Sequence, residues 1–153
     1  MKKTATFLFL FLCVLGFAQN PEEESVRRTV DVFFTGFHNK DSAMMESAIA
    51  KSVIVQTVTK DLLGNTIVKN ESYLDFLNSI VSIPDDVQFE EKLLNAIVQI
   101  DGAMAHVWAP YEFWFNGQLS HCGVNSMQLA KIDGYWKLIY LIDTRRKDNC
   151  SKG

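Results

Sequence analysis

The sequence has few of the residues from which common metal, phosphate and nucleophile sites are built. Its three histidines, His38, His106 and His121, are dispersed, and no pair of cysteines or histidines has the spacing of a zinc site. It contains no glycine-rich phosphate-binding loop and no Gly-x-Ser-x-Gly nucleophile motif. We therefore expect neither a metal ion nor a cofactor.

Positive charge is also scarce. The chain has 15 lysines and arginines against 18 aspartates and glutamates, and it has no basic stripe. Proteins that bind nucleic acid present clustered basic residues, so nucleic acid is not the expected partner. Arg145-Arg146-Lys147 is a short basic run near the C-terminus, and such runs are usually solvated.

The only long apolar run lies at the start of the chain. Residues 7–17 are apolar but too short to span a bilayer, they follow Lys2 and Lys3, and Gly16-Phe17-Ala18 matches a cleavage site. This pattern predicts a signal peptide at 1–18 and an exported domain at 19–153, periplasmic or secreted, with no membrane partner after cleavage. An uncleaved anchor is the alternative.

The exported part has the size and composition of one domain. Hydrophobic residues make up 48% of the sequence, which is enough for a core, and 153 residues are too few for two ordinary domains. Loss of Lys2 and Lys3 leaves 13 basic and 18 acidic residues, a net charge of −5.

Two cysteines, Cys122 and Cys150, remain after cleavage. Export to an oxidising compartment favours a disulfide between them, which would attach the C-terminal tail to the rest of the domain. The alternative is a buried Cys122 and a free Cys150.

The first half of the chain predicts helices around a short hairpin. Asn20 and Asp41 are placed to cap two helices, and Asn70 is placed to cap a third, which ends before Pro84. Between the second and third helices, residues 53–59 and 66–69 read as two strands joined at Gly64-Asn65.

The second half predicts a four-stranded antiparallel meander. Asp101-Gly102, Asn116-Gly117 and Asp133-Gly134 are each suited to a two-residue hairpin turn. The strands between them cover roughly 87–100, 103–115, 118–132 and 135–143. Strands this long should curl, and Pro110 marks the expected bulge or bend.

The hairpin turns predict which side chains share a face. A two-residue turn at Asn116-Gly117 pairs His121 with Glu112, and alternation places His106, Trp108 and Asn125 on the same face. Tyr140 joins that face across the next hairpin, whereas Asp143 falls on the opposite, flatter face.

His121 and Glu112 are the candidate catalytic pair. An imidazole can exchange a proton near neutral pH, and a carboxylate beside it would fix its tautomer and raise its basicity. The alternative is a histidine that is hydrogen-bonded within the sheet and has no role in chemistry.

Five residues are candidates to line a ligand pocket: His106, Trp108, Tyr111, Asn125 and Tyr140. Aromatic rings suit a flat ligand, and polar groups on an otherwise apolar face need partners that a ligand could supply. The alternative is that the aromatic residues form core and the polar groups pair with each other.

The run H-V-W-A-P-Y-E-F at 106–113, N-G-Q-L-S-H-C-G at 116–123 and G-Y-W-K-L-I-Y-L-I-D-T-R-R at 134–146 resembles exported bacterial proteins of the SnoaL-like and lumazine-binding-like groups. These groups belong to the nuclear-transport-factor-2-like superfamily. The resemblance implies an α+β cone-like fold, in which three N-terminal helices pack on a strongly curved antiparallel sheet. It also implies a pocket between sheet and helices and a homodimer formed through the other face.

The function implied by this resemblance stays open between three classes. The first is an exported domain that binds a small, flat organic molecule in an aromatic pocket. The second is an enzyme of the isomerase, cyclase or dehydratase type with His121 as its general base. The third is a non-catalytic interaction module. The sequence does not decide whether the protein is an enzyme.

Overall fold

The computed structural model describes residues 20–150, so the signal peptide predicted at 1–18 lies outside the described residues. The elements, in chain order, are α1 (Pro21–Asn39), α2 (Ser42–Ala48), β1 (Ile49–Lys60), β2 (Thr66–Glu71), α3 (Tyr73–Val81), β3 (Phe89–Leu93), β4 (Ile97–Asp101), β5 (Met104–Phe115), β6 (Gln118–Ile132) and β7 (Tyr135–Arg146). Within residues 20–150, no helix is both long and apolar enough to cross a bilayer.

Side-chain caps fix where the helices begin. Asn20 accepts the backbone N–H of Glu22, and Asp41 accepts that of Met44, as the sequence predicts. The third helix is different, because Ser72 rather than Asn70 is its cap. Asn70 lies in β2 and pairs with β1, so it is not available to start a helix.

The seven strands form one sheet in the order β2-β1-β7-β6-β5-β3, with β4 also paired to β5. The predicted α+β class with a curved sheet is confirmed. The sheet is mixed rather than wholly antiparallel, because β1 and β7 pair in parallel. These two strands are far apart in sequence, and no tight turn joins them, so their direction is not constrained to be antiparallel.

The first strand of the predicted meander is broken. In place of one strand over 87–100, β3 and β4 are separated near Asn95, whose φ of 39° is left-handed, and both strands pair with β5. Pro110 lies opposite this gap, and its carbonyl accepts the N–H of Leu94 at 2.7 Å. Because Pro110 faces this gap, its missing N–H does not remove a hydrogen bond between paired strands. β5 continues through Pro110 in register with β6, without the predicted bulge.

Two of the three predicted hairpin turns are confirmed. Asn116 and Gly117 have φ of 47° and 76°, and Asp133 and Gly134 have φ of 50° and 84°. The third turn lies one residue later than predicted, because Asp101 pairs with Met104.

Two bulges decide which side chains of the meander face the helices. In β6, Ser120 is skipped between the pairs Trp114–Leu119 and Phe113–His121. The partner of His121 is therefore Phe113, and the predicted Glu112–His121 pairing is wrong. Past this bulge, the side chains of β5 lie on the face opposite to the predicted one.

The second bulge lies in β7. Ile139 is skipped between the pairs Leu129–Leu138 and Gln128–Tyr140. This shift turns Tyr140 to the outer face of the sheet and Asp143, which is 7% exposed, to the inner face. Both predicted facings are therefore corrected.

The core lies between the inner face of the sheet and the helices. Its buried members are Val26, Val30, Phe33, Phe34, Phe37, Met45, Ala48, Leu77, Ile80, Phe89, Ala105, Val107, Ala109, Met127, Leu129, Trp136 and Leu138. Small residues of β5 alternate inward opposite the large side chains of α1, so the layers pack closely. On the outer face, Trp108 is 45% exposed, and a homodimer through that face stays a prediction.

A disulfide joins Cys122 in β6 to Cys150, with the two Cα atoms 5.4 Å apart. This is the bridged alternative of the two that the sequence leaves open. The bond closes a separation of 28 residues and holds the chain end against the outer face of β6.

Gly123 permits the closest approach within the sheet. A Cβ built on it would lie 1.7 Å from the backbone oxygen of Thr144 and 2.7 Å from the ring of Tyr111. The oxygen of Thr144 accepts the hydroxyl of Tyr111 at 3.0 Å, so the missing side chain makes room for this contact.

We expect Gly123→Ala to lower the free energy of unfolding by about 3 kcal/mol, because the backbone of β7 cannot yield to the new methyl group. Chemical denaturation measures the loss. Gly102→Ala is the matched control: its Cβ would have no neighbour within 4 Å, and strain at φ 57° should cost about 1 kcal/mol. Equal losses in the two variants would contradict the crowding argument.

Candidate functional site

A cavity of about 270 Å³ lies between helices α1 and α3 and the inner face of the sheet. Its lining residues are Phe33, Phe34, Phe37, Val53, Val55, Gln56, Glu71, Tyr73, Phe76, Ser79, Ile80, Glu91, Phe113, His121, Asn125, Leu138, Leu141, Asp143 and Arg145. The helices supply mainly aromatic and aliphatic side chains, and the strands supply most of the polar ones. The cavity therefore has an apolar side and a polar side.

The aromatic side chains of the helical wall pack on one another. Phe37 stacks on Phe76 with ring centres 5.9 Å apart, which connects α1 to α3. Phe33 and Phe34 make an edge contact at 5.3 Å. Because these rings are held by their neighbours, the apolar wall exists without a ligand.

Glu91 and Asn125 form the centre of the polar side. Asn125, on β6, is 3% exposed and donates from Nδ2 to Oε1 of Glu91, on β3, at 2.6 Å. The backbone N–H of Glu91 donates in turn to Nε2 of His38 at 2.9 Å. Contacts from α1 and β6 thus fix both the backbone and the carboxyl group of Glu91.

Burial raises the pKa of Glu91 to about 7. The hydrogen bond from Asn125 opposes this rise, and the negative charge of nearby Asp143 adds to it. Near neutral pH, Glu91 is therefore present in both protonation states and can give or take a proton.

Asp143 and Arg145 form a second polar group at the cavity. Arg145 donates from Nε to Oδ2 of Asp143 at 2.9 Å. The hydroxyl of Tyr111 lies 3.3 Å from the same carboxylate oxygen. Burial raises the pKa of Tyr111, so its hydroxyl stays protonated and remains a donor.

His121 stands at the rim of the polar side. Its ring stacks on Phe113 at 4.7 Å, and its Nδ1 lies 3.2 Å from Oγ of Ser120. Burial lowers the pKa of His121, and the positive charge of Arg145 lowers it further. The imidazole is therefore neutral at neutral pH.

Tyr73 brings an unsatisfied hydroxyl to the helical wall. Its oxygen is buried and has no hydrogen-bond partner among residues 20–150. Burial raises the pKa of Tyr73 to about 12, so the group is a neutral donor. A buried hydroxyl without a partner is costly, and a ligand or water in the cavity could satisfy it.

The structure brings together some of the residues predicted from sequence. His121 and Asn125 line the cavity. Tyr111 is buried behind the lining, where it supports Asp143 rather than facing the cavity.

The other predicted site residues lie elsewhere. His106 and Trp108 are on the outer face, where Nε2 of His106 lies 3.1 Å from Oγ of Ser126. Glu112 pairs with Cys122 and accepts the indole N–H of Trp114, so it cannot orient His121. Tyr140 donates its hydroxyl to Gln56.

Sequence reasoning missed Glu91 and Tyr73. Glu91 lies on the same side of β3 as Phe89 and Leu93, so a carboxylate on the inward side of a strand was a signal that could have been read. Tyr73 belongs to the apolar stripe of α3, and no pattern distinguishes its hydroxyl from those of exposed tyrosines.

Metal binding finds no support in the described residues. Between residues 20 and 150, no three histidine, cysteine, aspartate or glutamate side chains are grouped so as to hold an ion.

Comparison with solved structures identifies the fold as nuclear-transport-factor-2-like. A protein of this fold from Shewanella baltica, of unknown function, matches with a TM-score of 0.62 and 16% identity, over 82% of this chain and 94% of its own. One from Cytophaga hutchinsonii matches with a TM-score of 0.62 and 16% identity, over 84% of this chain and 100% of its own.

A third similar structure has a name that suggests chemistry. It is a provisionally named scytalone dehydratase from Novosphingobium aromaticivorans, with a TM-score of 0.62 and 11% identity, over 82% of this chain and 85% of its own. Identities this low establish the fold and no activity. No protein-family model matches the sequence, and the comparison with curated proteins finds no relative.

Glu91 should make stability depend on pH. The pKa of Glu91 is about 7 in the folded protein, against an ordinary value of 4.5. Between these two pH values the folded state therefore binds a proton that the unfolded state has released. Stability due to this group is present below about pH 4.5 and is lost as pH rises through 7. We expect the free energy of unfolding of Glu91→Gln, relative to that of the wild type, to rise by about 2 kcal/mol from pH 5 to pH 8.

Urea denaturation at several pH values measures this difference. Comparison with wild type is essential, because His38 and His121 also affect stability. Their pKa values are lowered in the folded protein, so the stability that they contribute is lost as pH falls, opposite to the effect of Glu91. Asp101→Asn, which removes an exposed carboxylate at the end of β4, is the control. A flat difference for Glu91→Gln would mean that Glu91 titrates normally.

Proposed function

We propose that this protein is an exported domain that binds a small, partly apolar organic molecule between its helices and its sheet. The observation that carries the proposal is the hydrogen bond between buried Asn125 and partly buried Glu91, on the polar side of a cavity whose other wall is aromatic. Such a division suits a molecule with an apolar body and one hydrogen-bonding end.

The charges around the cavity favour a neutral ligand. Glu71, Glu91 and Asp143 are acidic, and Arg145 is already paired with Asp143. An anion would meet carboxylates without a free cation to offset them. The volume of about 270 Å³ lies at the small end of ligand pockets, so a compact alcohol, aldehyde or ketone fits best.

Native mass spectrometry of the exported protein, followed by titration with small aromatic alcohols, aldehydes and ketones, tests binding. We expect Asn125→Leu to weaken binding by about tenfold or more, because a polar partner of the ligand and of Glu91 is lost.

His106→Leu is the matched control for this titration. It removes a polar side chain of the same meander on the outer face, and binding should not change. Weaker binding in the control than in Asn125→Leu would place the site on the outer face and contradict the proposal.

A second candidate function is proton-transfer catalysis of the isomerase or dehydratase type. The observation that favours it is Glu91, a partly buried carboxyl group that lines the cavity and has a pKa of about 7. Glu91 would remove a proton from carbon next to a carbonyl group, with the Asn125 amide holding its carboxylate in place. Neutral His121 could serve as the base instead, although without the Glu112 partner predicted for it.

Turnover of enolisable ketones and of β-hydroxy ketones by the exported protein tests this candidate. We expect Glu91→Gln to lower kcat by about 100-fold or more, since loss of a general base has effects of this size. The same loss in His121→Ala, with activity kept in Glu91→Gln, would assign the base to His121. Glu90→Gln should retain full activity.

If the wild type binds ketones but does not convert them, the result would support the binding function and contradict the catalytic one.

A further inference from the structure

The end of the β1–β2 hairpin presents an apolar tip that the cavity does not explain. Leu63 is 87% exposed and Leu62 is fully exposed, and they are adjacent in the turn. On the neighbouring edge strand, Ile67 and Val68 are 40% and 55% exposed. Single exposed apolar residues are common, but two adjacent leucines at the tip of one turn, with Ile67 and Val68 exposed on the two faces of the next strand, indicate a surface that something covers.

Hydrogen bonds to one aspartate hold this tip in shape. Oδ1 of Asp61 accepts the backbone N–H groups of Leu63 at 2.9 Å and Asn65 at 2.8 Å, and Oδ2 accepts Nδ2 of Asn65 at 3.0 Å. The backbone of Asp61 also bonds to Asn65 and Gly64. Leu62 and Leu63 are thus exposed by a built turn rather than by a loose loop.

Basic residues flank the tip. β1 and β7 run in parallel, and their last paired residues are Val58 and Thr144, so Lys60 and Arg146 follow side by side and Lys147 comes next. All three are exposed, and none forms a salt bridge within residues 20–150. Two acidic residues adjoin them in sequence: Asp61, whose carboxylate is used within the turn, and Asp148.

This end of the molecule therefore differs in charge from the whole chain, whose net charge is −3. Exposed leucines beside unpaired cations are the combination that binds an anionic bilayer surface, where apolar groups insert and cations meet headgroups. A protein partner fits less well, because a stable interface covers about 800 Å² on each side and a five-residue turn offers far less.

We propose that the β1–β2 hairpin attaches this domain reversibly to anionic membranes, with Leu62 and Leu63 inserted among the lipids and Lys60, Arg146 and Lys147 at the headgroups. This departs from the expectation that the exported domain has no membrane partner. The proposal does not depend on what the cavity binds.

Vesicle co-sedimentation tests the proposal with protein purified after export, its N-terminus checked by mass spectrometry. The vesicles are phosphatidylcholine alone or with about 30% phosphatidylglycerol. The wild type should bind the anionic vesicles, bind the neutral ones about tenfold more weakly, and lose binding between about 0.1 M and 1 M salt. Failure to bind anionic vesicles, or equal binding to both kinds, would overturn the proposal.

Leu62→Ser/Leu63→Ser should weaken binding to anionic vesicles by about tenfold or more, and the variant should fold, because neither side chain is buried. The control Leu74→Ser/Tyr135→Ser removes two exposed apolar residues elsewhere, 62% and 71% exposed, and should bind like the wild type.

Lys60→Gln/Arg146→Gln should weaken binding and its salt dependence. Retained binding in the leucine variant, or an equal loss in the control, would overturn the assignment to the hairpin. A dimer that dissociates in the leucine variant, without vesicle binding by the wild type, would assign the tip to a second copy of the chain and overturn the membrane proposal.

Discussion

The position of one residue without a cross-strand partner, Ser120, controls the facing of the central hairpin. A strand alternates its side chains between two faces, so an extra residue in β6 reverses the facing of β5 relative to β6 beyond the Asn116-Gly117 turn. With this bulge, Ala105, Val107 and Ala109 face the helices and join the phenylalanines of α1 in the core. Without it, His106 and Trp108 would face the core instead of the outer face.

The second bulge, at Ile139, completes the polar side of the cavity. It turns Asp143 inward, where Asp143 can pair with Arg145 and raise the pKa of Glu91. Glu91 itself is held by the cross-sheet amide of Asn125. The carboxyl group of Glu91 therefore costs stability when it is charged, which is the property that the proposed proton transfer would use.

Much of the fold could be predicted from sequence because its signals are local. Asn20, Asp41 and the Asn116-Gly117 turn act through their own neighbours in the chain, so the first two helices and the main hairpin follow from residue type. The family resemblance in residues 106–146 then gave the arrangement of helices on a curved sheet. The parallel pairing of β1 with β7 depends on tertiary packing, and no local pattern encodes it.

The candidate site was harder to predict because it depends on which residues of each strand face inward, and one extra residue in a strand reverses this facing. His121 and Asn125 were found because β6 keeps the expected facing after its bulge. His106 and Trp108 were assigned to the wrong face because of the bulge at Ser120, and Tyr140 because of the bulge at Ile139. Pro110 predicted a bend in β5, yet the gap between β3 and β4 accommodates the proline without one. In long paired strands, a polar residue that shares a face with apolar ones, as Glu91 does with Phe89 and Leu93, is therefore safer evidence of a site than a register counted from a distant turn.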